Sequence, residues 1–115
     1  MELNTLENEM LIDIYDADML LEMPFEIENY RLTEKDPKKK NQEFTFHLKR
    51  LKMLDLIKYE EREAFVKGGS RSPKYNNNVT IVCGDMIHIN SKGIKLVEGY
   101  SYSNSEIIEK NIRNN

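Results

Sequence analysis

The sequence predicts a mixed α+β fold, with helices at both ends of the chain and short strands between them. Three observations support this prediction. Apolar residues in the first half recur every three or four positions, which is typical of amphipathic helices. After residue 56 they gather in short runs of β-branched and aromatic residues, which favour strands. Two of these runs flank residues 67–78, a segment of Gly, Ser, Pro and Asn that predicts a loop.

The length of 115 residues fits a single domain over 1–115. Hydrophobic residues make up 39% and charged residues 32%, at a mean hydropathy of −0.67. This is polar for a globular protein but too rich in apolar residues for a disordered one, so we expect the chain to fold. We expect three parts: an acidic helix with a connector (1–40), a second helix with strands and a following helix (41–99), and a C-terminal helix (100–115).

The formal net charge of −3 hides an asymmetry along the chain. Residues 1–30 contain nine acidic residues and no Lys or Arg, so this segment has a charge of −9. Residues 31–115 contain all 17 basic residues and the other 11 acidic ones, a charge of +6. A pI of about 5.5 argues against indiscriminate binding of polyanions, yet one domain can have an acidic face and a basic face.

The first helix is predicted over about 4–22, where apolar residues are spaced by three or four. Asn4 and Glu7 have the spacing of a capping box at its start, and Pro24 marks its expected end. Its acidic residues are most simply a solvated face, with a partner-binding surface as the alternative. Residues 25–36 are ambiguous between a strand and a short helix.

Residues 41–55 have helical periodicity again, with one apolar stripe and one basic polar stripe. Asp36 and Pro37 are residue types favoured at a helix cap and at the first helical position. Three lysines follow them, however, and lysines in a first turn oppose the helix dipole. We therefore expect Asn41 to cap this helix and Lys38–Lys40 to lie in a loop.

Residues 57–66 are predicted to form one strand, and residues 79–82 and 86–89 two more. The loop 67–78 contains three basic residues and no acidic one. Gly84-Asp85 indicates a bulge or a second tight turn.

Beyond the strands, Asn90 or Ser91 can cap a short helix that ends at Gly99. Ser103 and the Glu three residues later repeat the capping-box spacing and predict a last helix over about 103–113. Because helices this short are unstable alone in water, it needs a surface to dock on, in cis or in a dimer. We expect a homodimer held by the N-terminal and C-terminal helices.

Residues 47–57, His-Leu-Lys-Arg-Leu-Lys-Met-Leu-Asp-Leu-Ile, resemble a signature of winged helix-turn-helix regulators, in which the recognition helix runs into the first wing strand. In this signature, leucines seat the helix on the core, a left-handed residue ends it, and an aliphatic pair begins the strand. Asp55 stands where the family usually has Gly. Asp is among the few other residues that tolerate the left-handed conformation.

A second stretch, residues 87–97 with Lys92-Gly93 inside it, is similar to the strand-to-helix passage that follows the wing in this family. The two matches bracket a wing-like hairpin. The resemblance implies a winged helix-turn-helix fold with additional N- and C-terminal helices. The chain is most similar in character to small winged-helix proteins of low-GC Gram-positive bacteria and their prophages.

The resemblance implies a DNA-binding transcriptional regulator whose helix 41–55 enters the major groove of double-stranded DNA. Lys and Arg on its polar face can contact phosphates or guanine, and Thr can contact a thymine methyl. The basic residues of loop 67–78 suit phosphate or minor-groove contacts. The candidate DNA-binding residues are Thr45, Lys49, Arg50, Lys52, Lys67, Arg71 and Lys74.

The alternative is a non-enzymatic interaction module of a phage or mobile element that binds a host protein through its acidic N-terminal segment. The two hypotheses differ in where charge lies on the fold. DNA binding is favoured if Lys49, Lys52, Arg71 and Lys74 share one face, away from the acidic helix. The interaction hypothesis gains if they do not.

Enzymatic activity is not expected, because no nucleophile or acid–base set has a supporting context, and we predict no cofactor and no metal site. His47 is expected to pack on the helix flank, and His88 to face away from its apolar neighbours. Cys83, as a lone cysteine, excludes an intramolecular disulfide and is expected to be a small core residue. The sequence lacks a signal-peptide pattern and a long apolar run, so we expect a cytoplasmic protein that makes no membrane contact.

Overall fold

The structure, a computed structural model, describes residues 2–21, 23–30 and 35–99. Its elements confirm the mixed α+β class. In chain order they are α1 (Thr5–Tyr15), a π-helical turn (Asp16–Leu20), a 3-10 turn (Ile27–Tyr30), α2 (Pro37–Met53), β1 (Ile57–Lys58), α3 (Glu61–Ala64), β2 (Phe65–Lys67), β3 (Val79–Val82), a 3-10 turn (Gly84–Met86) and β4 (His88–Ile89). Residues 91–99 are helical as well and are called α4.

The predicted capping box at the start of α1 is confirmed. Asn4 Oδ1 accepts a hydrogen bond from the Glu7 backbone N–H at 2.7 Å, and Glu7 Oε1 accepts one from the Asn4 N–H at 3.0 Å. The helix predicted over 4–22 is α-helical to Tyr15 and continues as the π-helical turn to Leu20. Leu21 then adopts a left-handed backbone with φ 54°, which ends the helical run.

The prediction that Asn41 caps α2 is wrong, because α2 begins four residues earlier. The Asp36 side chain accepts a hydrogen bond from the Lys39 N–H at 3.4 Å, and Pro37 occupies the first helical position. Lys38–Lys40 therefore lie in the first helical turn and not in a loop. Asn41 is buried inside the helix, where its Nδ2 donates to the carbonyl oxygen of Thr80 in β3.

The C-terminal end of α2 agrees with the prediction that a left-handed residue stops it at position 55. Asp55 has φ 64°. Its N–H donates to the Lys52 carbonyl at 2.9 Å, and the Leu56 N–H donates to the Leu51 carbonyl at 3.1 Å, which is the Schellman pattern. Asn90 Nδ2 donates to Asp55 Oδ1 at 2.7 Å, so this helix end is joined to the start of α4.

The prediction of a single strand over 57–66 is wrong. The run Glu60-Glu61-Arg62-Glu63 is exposed and has no alternating apolar face, and its residue types favour helix, so α3 interrupts the segment. β1 pairs antiparallel with β4, with Ile57 opposite Ile89. β2 pairs antiparallel with β3, so a loop between these strands is confirmed, but it spans 68–78 because Lys67 belongs to β2.

The core lies between α1, α2 and the two strand pairs. Its largest fully buried side chains come from several elements and include Phe44, Met10, Leu11, Ile14, Ile27, Leu48, Leu51, Leu56, Ile57 and Val79. Gly93 in α4 packs against the end of α2, where a Cβ atom would overlap the carbonyl oxygen of Leu56. A larger residue at position 93 would therefore force these two segments apart.

Residues 91–99 confirm the predicted helix after β4, with Asn90 Oδ1 accepting from the Ser91 N–H at 3.0 Å. The C-terminal helix predicted over 103–113 lies outside the described residues. The homodimer that this helix and the N-terminal helix are expected to hold stays a prediction. Within the part of the chain that the structure describes, no helix is both long and apolar enough to cross a membrane.

Candidate nucleic-acid interface

The prediction that Thr45 contacts DNA is wrong. Its side chain is 0% exposed, because α2 buries this flank against the rest of the fold as well as its apolar stripe. The helical periodicity predicted that Thr45 lies on the polar stripe with Lys49 and Lys52, but the packing of the fold covers Thr45. A buried hydroxyl cannot reach a base edge without unfolding the helix contact.

Lys49 and Lys67 converge on one carboxylate of the fold. Lys49 Nζ lies 2.9 Å from Glu61 Oε1, and Lys67 Nζ lies 3.7 Å from the same atom. The hydrogen bond from Lys49 is the main cause that lowers the pKa of Glu61, and the positive charges of Lys49 and Lys67 add to it. Both predicted DNA-contacting lysines therefore have an intramolecular counter-ion on α3.

Arg50 and His47 join α2 to α1 through a buried carboxylate. Arg50 Nη1 donates to Glu7 Oε1, and His47 Nδ1 lies 2.9 Å from Glu7 Oε2. The Glu7 side chain is 0% exposed. Because a buried carboxylate is costly unless it is paired and hydrogen-bonded, these contacts are part of what holds α1 in place. Packing of His47 on the helix flank agrees with its prediction.

Lys52 also bonds within the fold. Its Nζ donates to the carbonyl oxygen of Tyr59 at 2.8 Å and lies 4.4 Å from the centre of the Tyr59 ring. Burial, followed by the negative charge of Glu61, raises the pKa of Tyr59. Lys52 thus links the end of α2 to the segment after β1.

A second group of cations surrounds a groove between the first turn of α2 and residues 68–75. We call this space, about 740 Å³ in volume, the α2–loop groove. The charged residues that line it are Asp36, Lys38, Lys39, Lys40, Glu43, Arg71 and Lys74, a formal charge of +3. Arg71 and Lys74 therefore lie apart from the Glu61 cluster of Lys49. Lys49 and Lys52 thus do not share one group with Arg71 and Lys74. By the charge criterion for these four residues, this separation favours the interaction hypothesis.

Side-chain amides hold the loop against α2. Gln42 Nε2 donates to the Ser70 carbonyl at 3.1 Å, and Asn77 Nδ2 donates to the Gln42 carbonyl at 3.0 Å. Arg71 Nε donates to Asn76 Oδ1 at 2.8 Å, which orients the guanidinium group. The two walls of the groove are thus linked before any ligand binds, which reduces the entropy cost of binding.

Lysines in the first turn of α2 are unfavourable for the helix itself. The N-terminal end of a helix carries partial positive charge, so Lys38 and Lys39 are repelled by it, and both are exposed. Lys40 Nζ lies 3.0 Å from Glu43 Oε2, which offsets part of this repulsion. Residues that violate a local preference concentrate at functional sites. Helix N–H groups and cations together suit an anion such as phosphate.

From the sequence, Lys38–Lys40 are expected only to add charge near the DNA backbone, and Phe46 is not expected to have a role. The lysines were assigned to a loop, although the Asp36-Pro37 pair was a correct signal for an earlier helix start. Phe46 is 44% exposed and has no place in the apolar stripe of α2. The available signal in the sequence was that Phe46 is an aromatic residue that falls between the apolar stripe and the basic residues of α2.

His88 and Cys83, the other residues for which the sequence gives an expectation, have ordinary surroundings. His88 is exposed, as expected, and its Nδ1 lies 3.0 Å from Asp18 Oδ1. Cys83 is half-buried, so the prediction of a core residue holds only in part. Among the residues that the structure describes, no three His, Cys, Asp or Glu side chains lie close enough together to bind a metal ion.

Comparisons of this chain with protein-family models, with curated proteins and with solved structures find no match.

Proposed function

We propose that this chain is a DNA-binding protein of the winged helix-turn-helix type that acts as a transcriptional regulator. The observation that supports this proposal best is the α2–loop groove, where five cations from two elements face one space. In winged helices, the recognition helix and the loop between two antiparallel strands contact adjacent stretches of one duplex. The order of α2, β2, the loop and β3 is compatible with that arrangement.

The proposed contact surface lies at the N-terminal end of α2. Lys38, Lys39 and Lys40 would contact phosphates beside the first turn, and Arg71 and Lys74 would contact phosphates along the loop. Such contacts fix position and supply affinity, whereas base edges supply specificity. A homodimer that places two such grooves on successive half-sites belongs to the same proposal.

A specific observation favours the second candidate, a protein-interaction module. Phe46 and Met53 on α2 are 44% and 86% exposed, and exposed apolar residues on one element can contact a protein partner. Under this alternative the partner is a host protein. The acidic surface of α1 would then contribute to the same complex.

The test is fluorescence anisotropy with a labelled mixed-sequence duplex of about two helical turns, titrated at low and at physiological salt. The parent chain should bind more weakly as salt rises, because binding releases counterions from the phosphates. The double variant Lys39→Glu/Arg71→Glu should lose at least about a hundredfold in affinity, since two attractive contacts become repulsive.

The matched control is Lys92→Glu/Lys95→Glu, which makes the same change in net charge at two positions of α4 outside the groove. At physiological salt it should bind within about threefold of the parent, because charges more than about 8 Å from the DNA are largely screened there. Circular dichroism of each variant checks that it folds. Salt-independent or undetectable binding by the parent, or equal losses in both double variants, would contradict DNA binding through the groove.

A further inference from the structure

An aromatic pair adjoins the α2–loop groove. Tyr75 lines the groove, and Phe46 lies one helical turn beyond Gln42 on α2. The two rings have centroids 5.8 Å apart at an interplanar angle of 51°. Lys74 Nζ lies 5.2 Å from the centre of the Tyr75 ring, so cations of the groove reach the edge of the pair.

The position of Phe46 is not explained by the core. α2 already contributes Phe44, Leu48 and Leu51 to the interior, and Phe46 points to a different side of the helix. Phe46 also packs edge-on against His47, with centroids 5.1 Å apart and planes at 87°. The ring is therefore held in place by neighbours on two sides while 44% of the residue stays open to solvent.

We propose that Phe46 and Tyr75 stack on an unpaired nucleobase while the α2–loop groove binds the phosphates of the same strand. This inference rests on the proposed DNA binding and adds a ligand class to it, namely DNA with a single-stranded segment. Aromatic rings beside a cationic groove are the combination by which proteins bind single strands with little sequence preference. A continuous duplex hides the faces of its bases, so only an unpaired base can use the rings.

The dimensions agree with this ligand. Lys39 and Phe46 are seven residues apart on α2, which is about 10 Å along the helix axis at 1.5 Å per residue. Successive phosphates of one DNA strand advance by about 3.4 Å along a duplex and by more when the strand is extended. A segment of about three nucleotides therefore spans from the first-turn lysines to the aromatic pair.

The experiment compares three labelled ligands by fluorescence anisotropy: a single strand, its blunt duplex, and the duplex with a single-stranded overhang. The parent should bind the single strand and the overhang more tightly than the blunt duplex. Phe46→Ala should weaken single-strand binding roughly tenfold and change blunt-duplex binding less than about twofold. Met86→Ala, which removes an exposed apolar side chain from the 3-10 turn before β4 and outside the groove, is the control and should leave all three affinities unchanged.

Phe46→Trp provides a second readout, because the chain contains no Trp and the variant has a single indole emitter. It should retain single-strand affinity, and its emission should be quenched by the single strand but not by the blunt duplex. Lys39→Glu/Arg71→Glu should weaken binding of all three ligands.

The outcomes separate the two proposals. If the parent binds none of the three ligands, DNA binding fails and the stacking inference fails with it. If the parent binds DNA and Phe46→Ala weakens all ligands equally or none, DNA binding stands and the stacking inference is overturned. Indole emission of the Phe46→Trp variant that does not respond to the single strand also overturns it.

Discussion

The two ends of α2 carry three cationic residues each, and they use them differently. Near the C-terminal end, Lys49, Arg50 and Lys52 bond to Glu61, to Glu7 and to a backbone carbonyl. At the N-terminal end, Lys38–Lys40 face the α2–loop groove, where cations outnumber carboxylates. The helix dipole favours cations at the C-terminal end of α2 and disfavours them at its N-terminal end. A basic residue on a helix can therefore hold the fold or face a ligand site, and sequence periodicity does not distinguish the two.

The largest expected effect is the loss of stability caused by Glu7→Ala. Glu7 lies in α1 and is the partner of Arg50 near the C-terminal end of α2. The variant removes the carboxylate that Arg50 and His47 contact. It also removes the half of the capping box in which Glu7 Oε1 accepts a hydrogen bond from the Asn4 N–H. Losing one partner of a buried pair and an N-cap interaction should lower the free energy of unfolding by about 3 kcal/mol. Urea denaturation followed by circular dichroism measures this.

The control for that measurement is Glu9→Ala, which removes an exposed carboxylate from the same helix. Its effect should stay within about 0.5 kcal/mol, as for surface substitutions in general. Equal effects of the two variants would show that Arg50 is not a structural residue, and the contrast between the two ends of α2 would disappear.

The next largest effect comes from two double variants, one at each end of α2, which should change the stability of the protein in opposite directions. Lys38→Gln/Lys39→Gln should lower affinity for duplex DNA by about tenfold and raise stability by about 0.5 kcal/mol, because it removes charges that oppose the helix dipole. Lys49→Gln/Lys52→Gln should leave affinity within about twofold and lower stability by about 1 kcal/mol, because it breaks the contacts to Glu61 and Tyr59. Fluorescence anisotropy titration measures the DNA affinity of each double variant, and urea denaturation measures its stability.

The two ends of α2 are equivalent if the double variants behave alike. Greater loss of DNA affinity from the Lys49/Lys52 pair would place the contact surface at the C-terminal half of α2, where the sequence predicts it. Stability that falls in both pairs would mean that the first-turn lysines are also structural.

Local signals were predictable from the sequence. The capping box at Asn4, the loop between β2 and β3, and the left-handed residue at Asp55 depend on residues close together in the chain. The start of α2 was misplaced because two local rules conflicted: the Asp36-Pro37 signature favoured an early start, and the lysines opposed it. The structure follows the signature, because a cap hydrogen bond and a preset φ outweigh an exposed charge that water screens.

The site was less predictable because its chemistry depends on distant partners. Glu7 is 43 residues from Arg50 in sequence, and nothing in either segment indicates their contact. Lys49 meets Glu61 only because α3 interrupts the expected strand. Gln42 and Asn77, which join the loop to α2, are polar residues of a kind that sequence patterns do not distinguish from solvated ones.

The smallest effect concerns the Lys49–Glu61 pair and its dependence on pH. The pKa of Glu61 is lowered from its ordinary value of 4.5, so the pair stabilises the folded state above about pH 4.5 and this stabilisation is lost as pH falls through the lowered value. Glu61 is 46% exposed, so solvent screening limits the contribution to about 0.5 kcal/mol. Lys49→Met should therefore lose less stability than the parent between about pH 7 and about pH 3.

The matched control for this pH dependence is Lys95→Met, which removes a lysine from α4, away from Glu61. In urea denaturation at both pH values it should lose as much stability as the parent, because its ammonium group is not a partner of the Glu61 carboxylate. If Lys49→Met also loses as much as the parent, Lys49 is not the counter-ion of Glu61. Its ammonium group is then as available to a ligand as those of the first-turn lysines, and the two ends of α2 do not differ at this position.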